Sequence, residues 1–241
     1  MAGLSPAEPG SDTLAEALVQ RIGDAIIQGE LALGSRISEP TLARRYQVSR
    51  GPLREALNRL QERRLIDRVP RLGARVVTLS AETLRQIYGV RGALEGMAAR
   101  EAASVMAPED LAGLRRLLAA QGAALEASGD DAPNALGRAD EDFHALIARA
   151  SGNALLVRLL CDDLYQQLRL YRSQLRRVAG RGRRAVEEHR RILDAIEDRD
   201  PEMAELQMRR HIAASYAALV PSFAPDGAAA PRRRRKKERP E

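Results

Sequence analysis

The chain has no tryptophan, two phenylalanines and five tyrosines, so aromatic side chains make up only 3% of its 241 residues. Leu, Ala, Ile and Val must therefore fill its cores, and an apolar content of 44% is enough for real ones. Its one cysteine, Cys161, excludes an internal disulfide and with it the cross-linked secreted scaffolds. No apolar run approaches the roughly 18 residues of a membrane-crossing helix. The opening stretch, 1–12, is polar and bears Pro and Gly, without the basic start and apolar centre of a secretory signal. Catalytic signatures are missing too: there is no Gly-rich phosphate loop, no dinucleotide fingerprint and no recognisable nucleophile. A carboxylate-bridged two-metal bundle would need Glu-x-x-His from each of two helices, whereas a single Asp-x-x-x-His occurs. A cytoplasmic binding protein is expected rather than an enzyme.

What is present is arginine. The net charge of +6 is unevenly spread: residues 1–79 and the tail 231–241, P-R-R-R-R-K-K-E-R-P-E, are basic, and the middle is slightly acidic. The basic ends point to a polyanion and the acidic middle to a different task. The tail lacks any apolar anchor and is expected to be disordered, as is 1–12.

Residues 36–60 read as two short helices joined by a tight turn. Ser38 caps the first, Pro40 sits in its opening turn, and the helix ends near Tyr46. Gln47 and Val48 make the turn, Ser49 caps the second helix, and Pro52 lies in the first turn, where a missing N–H costs little. Leu53, Ala56, Leu57 and Leu60 form one apolar stripe, while Arg50, Arg54 and Asn58 recur every four residues on another face. Arginine offers a planar donor fork to guanine edges and phosphates, and asparagine can pair with adenine. An ordinary solvated face is the alternative for any one of these residues. Residues 67–80 then form two β-branched runs around 70–74, with Gly73 available for a positive φ, a plausible wing.

The block 29–77 resembles the winged helix-turn-helix of the GntR family of bacterial transcription regulators. The match runs through Gly29, Leu31, Gly34, Ser38, Glu39, Leu42, Ala43, Val48, Ser49, Arg50, Pro52, Arg54, Glu55, Ala56, Leu57, Leu60, Leu65, Gly73 and Val76. The resemblance implies contacts to double-stranded DNA from Arg36, Ser49, Arg50, Gly51, Pro52, Arg54, Asn58, Arg71 and Gly73. Two departures bear on the operator sequence rather than the fold. Gly51 stands where the family usually has Thr, and Arg64 replaces the glycine that usually ends the recognition helix.

Before this block, Leu14, Leu18, Ile22 and Ile26 mark a first helix ending at Gly29. After it, helical periodicity and turn signals predict six helices and no strands, at 81–104, 108–126, 133–150, 154–178, 183–199 and 201–220. The expected fold is mainly α, an N-terminal winged helix-turn-helix followed by a C-terminal antiparallel six-helix bundle. Expected boundaries are 13–79 and 80–223, with tails at 1–12 and 224–241.

All three histidines fall in the bundle. Asp140 and His144 are i and i+4 on one helix, and His189 and His211 each lie among apolar neighbours. Taken singly, each is more simply a buried core histidine. The segment 80–223 resembles the effector domain of the FadR-like branch of the same family, and that resemblance implies that Asp140, His144, His189 and His211 hold a divalent metal, Zn²⁺ first, with Ni²⁺ or Mn²⁺ as alternatives. Arg91 borders an apolar stripe where the branch often carries an arginine. Either it binds a carboxylate effector or it pairs internally with Glu95, four residues on.

The resulting expectation is a homodimeric, metabolite-responsive transcription regulator, a repressor, that binds an operator and a small organic-acid effector. The competing expectations are a metal-dependent enzyme with a DNA-binding appendage and a structural DNA-coating protein.

Overall fold

The computed structural model describes residues 11–69, 73–128, 137–175 and 178–223. Residues 1–10 and 224–241 of the expected tails, Arg71 and the start of the helix expected at 133 lie outside the described residues, while Ser11 and Asp12, expected in the disordered tail, are helical. Helix α1 (Ser11–Ile27) buries Leu18, Ile22 and Ile26 of the four-residue recurrence, with Val19 beside them and Leu14 half-buried, and packs against α3. Helix α2 (Glu39–Tyr46) opens on Ser38, whose Oγ accepts from the Thr41 amide at 3.4 Å, and closes on Gln47 in the left-handed region at φ 56°. Helix α3 (Arg50–Glu62) presents Leu53, Ala56, Leu57 and Leu60 to the core, all fully buried.

Helix α3 ends in a paired set of bonds that satisfies its last carbonyls. The Leu65 amide donates to the Leu60 carbonyl and the Arg64 amide to that of Gln61, with Arg64 at φ 53°. This is the Schellman closure that glycine normally serves, and here an arginine takes the left-handed position instead. Strands β1 (Ile66–Val69) and β2 (Gly73–Val76) follow as an antiparallel pair, Ile66 opposite Val76 and Val69 opposite Gly73. Gly73 has φ 82°. Arg36 bridges to Arg75, and the Ile37 amide donates to the Ala74 carbonyl, so the segment before α2 borders the wing.

Among the described residues, everything after Val76 is helical or irregular. Ser80 caps α4 (Ala81–Val105) through the Thr83 amide at 3.0 Å. Next come α5 (Pro108–Ser128), α6 (Gly137–Ala150) and α7 (Ala154–Val157), then a π turn (Arg158–Asp163), α8 (Tyr165–Leu175), α9 (Arg181–Glu197) and α10 (Pro201–Leu219). The helix expected over 154–178 is thus interrupted. Between α7 and α8 the Leu164 amide donates five residues back to the Leu159 carbonyl, an extra residue per turn that hydrophobic spacing does not announce.

The shortage of aromatics is met by close backbone approach. Ala98, Ala99, Ala102 and Ala103 of α4 are completely or almost completely buried, and a Cβ added at Gly96 would lie 2.9 Å from Cγ of Arg209 on α10. Helices this close let short side chains meet across the bundle.

Replacing Arg64 by glycine removes the cost of holding an L-residue in the left-handed region. Arg64→Gly is expected to stabilise the DNA-binding module by about 1 kcal/mol, read as a higher denaturant midpoint at unchanged slope. A lower midpoint would mean that the Arg64 side chain contributes more than its backbone costs.

Candidate metal centre and nucleic-acid face

Three elements bring the histidines together. On α6, Phe143, His144, Ile147 and Ala148 are buried, so His144 lies on the inward stripe. On α9, His189 is fully buried with Val186, Ile192 and Leu193, and on α10 His211 is buried with Met208, Ile212 and Ser215. One ring nitrogen from each histidine lies within 4.8 Å of the other two. The ring centres are 4.6 Å apart for His189 and His211 and 5.1 Å for His144 and His211. Phe143 stacks on the His189 ring at 4.0 Å, which fixes its plane.

Each imidazole has an acceptor on its Nδ1 side. His189 Nδ1 is 2.9 Å from Gln121 Oε1, His211 Nδ1 is 2.7 Å from Glu188 Oε2, and His144 Nδ1 is 2.6 Å from Glu95 Oε2. With Nδ1–H of His189 and His211 directed to these oxygens, their Nε2 lone pairs are available on the opposite edges, the arrangement that metal-binding histidines use, whereas His144 Nδ1 meets Glu95 without hydrogen-bond geometry. His189 Nε2 is buried without a hydrogen-bond partner. An uncompensated buried acceptor beside two further imidazoles fits a divalent cation. Asp140 stands at the margin of the set, its Oδ1 3.5 Å from His189 Nε2.

Burial pushes the basicity of all three histidines down, and for His189 and His211 neighbouring positive charge takes it well below the usual range. They are neutral at pH 7, the form that binds a metal. At Asp140 burial acts to raise the pKa, but the adjacent histidines and Arg172 outweigh it, and the carboxyl stays ionised.

Arg91 is almost completely buried and pairs with Glu95, Nε donating to Oε1 at 2.6 Å. The internal salt bridge therefore forms. Its Nη2 also lies 3.5 Å from His144 Nε2, which places the guanidinium at the edge of the histidine set. Arg172 donates to the same Glu95 oxygen at 2.9 Å. Burial opposes ionisation of Glu95, yet Arg91, His144 and Arg172 hold its pKa well below the carboxylate range. On the other flank, Arg181 donates to Glu188 at 2.6 Å and to Ser215 Oγ at 2.7 Å.

Sequence reasoning had not singled out Gln121, Arg172, Arg181 or Glu188. Gln121 carries a signal in retrospect, as the lone amide in an alanine-rich stretch, and Glu188 adjoins His189. Arg172 carries none, because α8 is buried on nearly every side, and its apolar positions Leu168, Tyr171 and Leu175 do not set Arg172 apart.

The residues expected to meet DNA gather at α3 and the wing. Arg50 and Gly51 are exposed, and a Cβ at Gly51 would meet open space. Ser49 takes the N-cap position, but its side chain makes no capping bond, contrary to expectation, so its hydroxyl and the first amides of α3 remain open to an anion. The Arg54 side chain is 62% exposed, although its Nε donates to Glu39 at 2.9 Å. Asn58 accepts from Arg68 of β1 at 2.6 Å, which ties the reading helix to the wing. Arg36 is exposed and Pro52 half-buried.

Comparison with known proteins matches residues 14–76 to the model of bacterial regulatory proteins of the gntR family and residues 86–214 to the FCD domain. The chain is 32% identical over 212 residues to the uncharacterized HTH-type transcriptional regulator BphR of Paraburkholderia xenovorans, covering 86% of this chain and 85% of that protein. It is 31% identical over 214 residues to the probable D-xylose utilization operon transcriptional repressor of Paenarthrobacter nicotinovorans, covering 82% and 84%. Among solved structures it shares the fold of E. coli McbR/YncC, with a TM-score of 0.75 at 23% identity over 87% of this chain and 98% of that one.

Removing the charge of Glu95 strands two buried guanidiniums. Glu95→Gln is expected to destabilise the protein by about 3–5 kcal/mol in chemical denaturation. A loss below about 1 kcal/mol would place Arg91 and Arg172 in contact with water that already compensates them.

Proposed function

The chain belongs to the gntR family of bacterial regulatory proteins, in the FadR-like branch whose DNA-binding module is followed by an FCD domain, and from that premise we propose a metabolite-responsive repressor. Like its relatives it is a transcription regulator and not an enzyme. Repression is supported by the relative named for that role. The DNA-binding module is assigned to 13–79 and the effector domain to 80–223, in a cytoplasmic protein. Among the described residues no helix is long and apolar enough to cross a membrane.

The observation that carries the reading is the buried histidine set, with ring nitrogens within 4.8 Å of one another and His189 Nε2 lacking a partner. His144, His189 and His211 would hold a divalent metal, Zn²⁺ first and Ni²⁺ or Mn²⁺ next, with Asp140 as a fourth ligand from the margin. When bound, the metal supplies a Lewis-acidic position for one carboxylate of a small organic-acid effector. The residues of the chain do the rest. Gln121, Glu188 and Glu95 hold the three rings in orientation, and Arg91 offers a charge-assisted contact to the same effector.

Two copies are needed for a pseudo-palindromic operator. Val90 and Met97, seven residues apart on α4, are 49% and 45% exposed with Leu94 half-buried between them, an apolar strip suited to a second copy of the chain. On each copy Arg50, Arg54 and Asn58 face the major groove. Ser49, Gly51 and Pro52 open α3 to a phosphate, and Arg36, Arg71 and Gly73 meet the backbone from the wing side. The tail 231–241 adds phosphate contacts without base readout.

Two measurements test this reading. His189→Ala is expected to lose bound metal and the response to effector together while the protein stays folded and binds operator. Elemental analysis with gel shifts decides it, and a metal-free variant that answers effector normally overturns the site. Arg54→Ala is expected to weaken operator binding by about 1–3 kcal/mol and to blur the distinction between operator variants. Unchanged affinity and selectivity would remove Arg54 from the reading face.

A further inference from the structure

Helix α8 belongs to both halves of the molecule. Residues 166–173 are all buried, although most are polar or charged, which is unusual for a helix of this composition. Two faces explain it. Tyr165, Leu168 and Arg172, spaced three and four apart, line a pocket with Glu95, His144 and Cys161, and Arg172 donates to Glu95. Gln166, Arg169 and Leu170 lie on another face, toward α1. Leu170 is 2% exposed and packs within the apolar core of the DNA-binding module, not that of the bundle. Arg169 Nη2 stands 2.9 Å from Asp24 Oδ1, and Gln166 lies against Gly23, where an added Cβ would be 3.6 Å from its Oε1.

Helix α1 in turn is packed on the reading helix. Glu16 receives Arg59 of α3 and Arg63 at its C-terminal cap at 3.2–3.4 Å, and the apolar faces of α1 and α3 share one core. A continuous series of packed and ion-paired groups thus runs from the histidine set through Glu95, Arg172, Leu170 and Arg169 to α1 and α3. At the start of α8 sits the π turn, 158–163, which holds one residue more than an α-helical turn requires. Releasing or moving that extra residue rotates and shifts the helix that follows, at little cost to its own hydrogen bonds.

We propose that α8 is the lever that couples the bundle to the DNA-binding module, turning about the π turn, with Arg172 on Glu95 as its inner end and Leu170 with Arg169 on α1 as its outer end. This rests on the reading of the histidine set as a ligand site, and it adds the element through which occupancy of that set is felt at α3. Its physical basis is bistability. A buried helix in van der Waals contact on both faces cannot follow Glu95 without carrying Leu170, and Leu170 is embedded in the core that seats the reading helix. A ligand that favours one placement of Arg172 then favours one placement of α1, and the difference in its affinity for the two is the whole of the coupling.

Amide hydrogen exchange on the full chain, with Zn²⁺ alone as the probe, tests it. In the parent, Zn²⁺ is expected to slow exchange in α9, α10, α8 and α1. In the double variant Asp24→Asn, Leu170→Ala the slowing in α9 and α10 should persist while that in α1 is lost. Persistence of the α1 response in that variant, or its absence in a parent whose α9 and α10 respond, overturns the lever. If α9 and α10 do not respond to Zn²⁺, the metal reading fails by itself, and Arg172→Gln without metal decides the coupling. Exchange in α1 should then rise about tenfold with α5 unchanged, and an unchanged α1 overturns the proposal. Should α5 accelerate as well, from global destabilisation, Arg172→Lys, which retains the charge without the forked geometry, gives the same reading.

Discussion

A buried carboxylate, that of Glu95, sits where three helices meet. It can stay ionised there only because Arg91 from its own helix and Arg172 from α8 supply positive charge at 2.6 and 2.9 Å, with His144 of α6 at 2.6 Å on its other oxygen. Such a cluster gains little as net stability, since each group gives up hydration to join it. What it imposes is specificity. A displacement of α4, α6 or α8 breaks a charged contact in a dry interior, so the three helices keep one arrangement.

The histidine set depends on that arrangement twice. His144 takes its orientation from Glu95, and the approach of α9 and α10 that brings in His189 and His211 depends on small residues. Gly96 and the alanines of α4 let α10 come close enough for imidazoles, which are short, to reach one another. A core built on large aromatics would have held those helices further apart. The scarcity of Phe, Tyr and Trp is thus consistent with the geometry of the site, and Phe143, one of two phenylalanines, is stacked directly on His189.

The same rigidity relates the bundle to the DNA-binding module. Helix α8 carries Arg172 inward and Leu170 outward, so the two cores share one element. Residues at that junction are polar and buried, Gln166, Arg169 and Ser173 among them. Each needs its own partner, and a polar junction of this kind resists arbitrary sliding while permitting a change between defined states.

The sequence by itself determined whatever is local in the chain. Ser38 before α2, Ser80 before α4 and the leucine stripe of α3 follow from capping and from a period of 3.6 residues, and these act between neighbours. The wing was legible from β-branched runs around a turn, and the candidate ligands from their residue types and the family likeness. Tertiary structure decided the rest, because the relevant forces act between residues far apart in sequence. The i, i+4 spacing offered the Arg91–Glu95 pair as one of two expectations, but that Arg91 also touches His144, that Gln121 and Glu188 hold two of the rings, and that Asp140 stands at the margin could not be read from spacing. The π turn was hidden because hydrophobic period does not register one added residue in a short segment whose one buried side chain is Leu160. Arg64 in a position made for glycine and Ser49 without its capping bond show the same limit: sequence preference states the cheapest solution, and the packed chain settles which cost is borne.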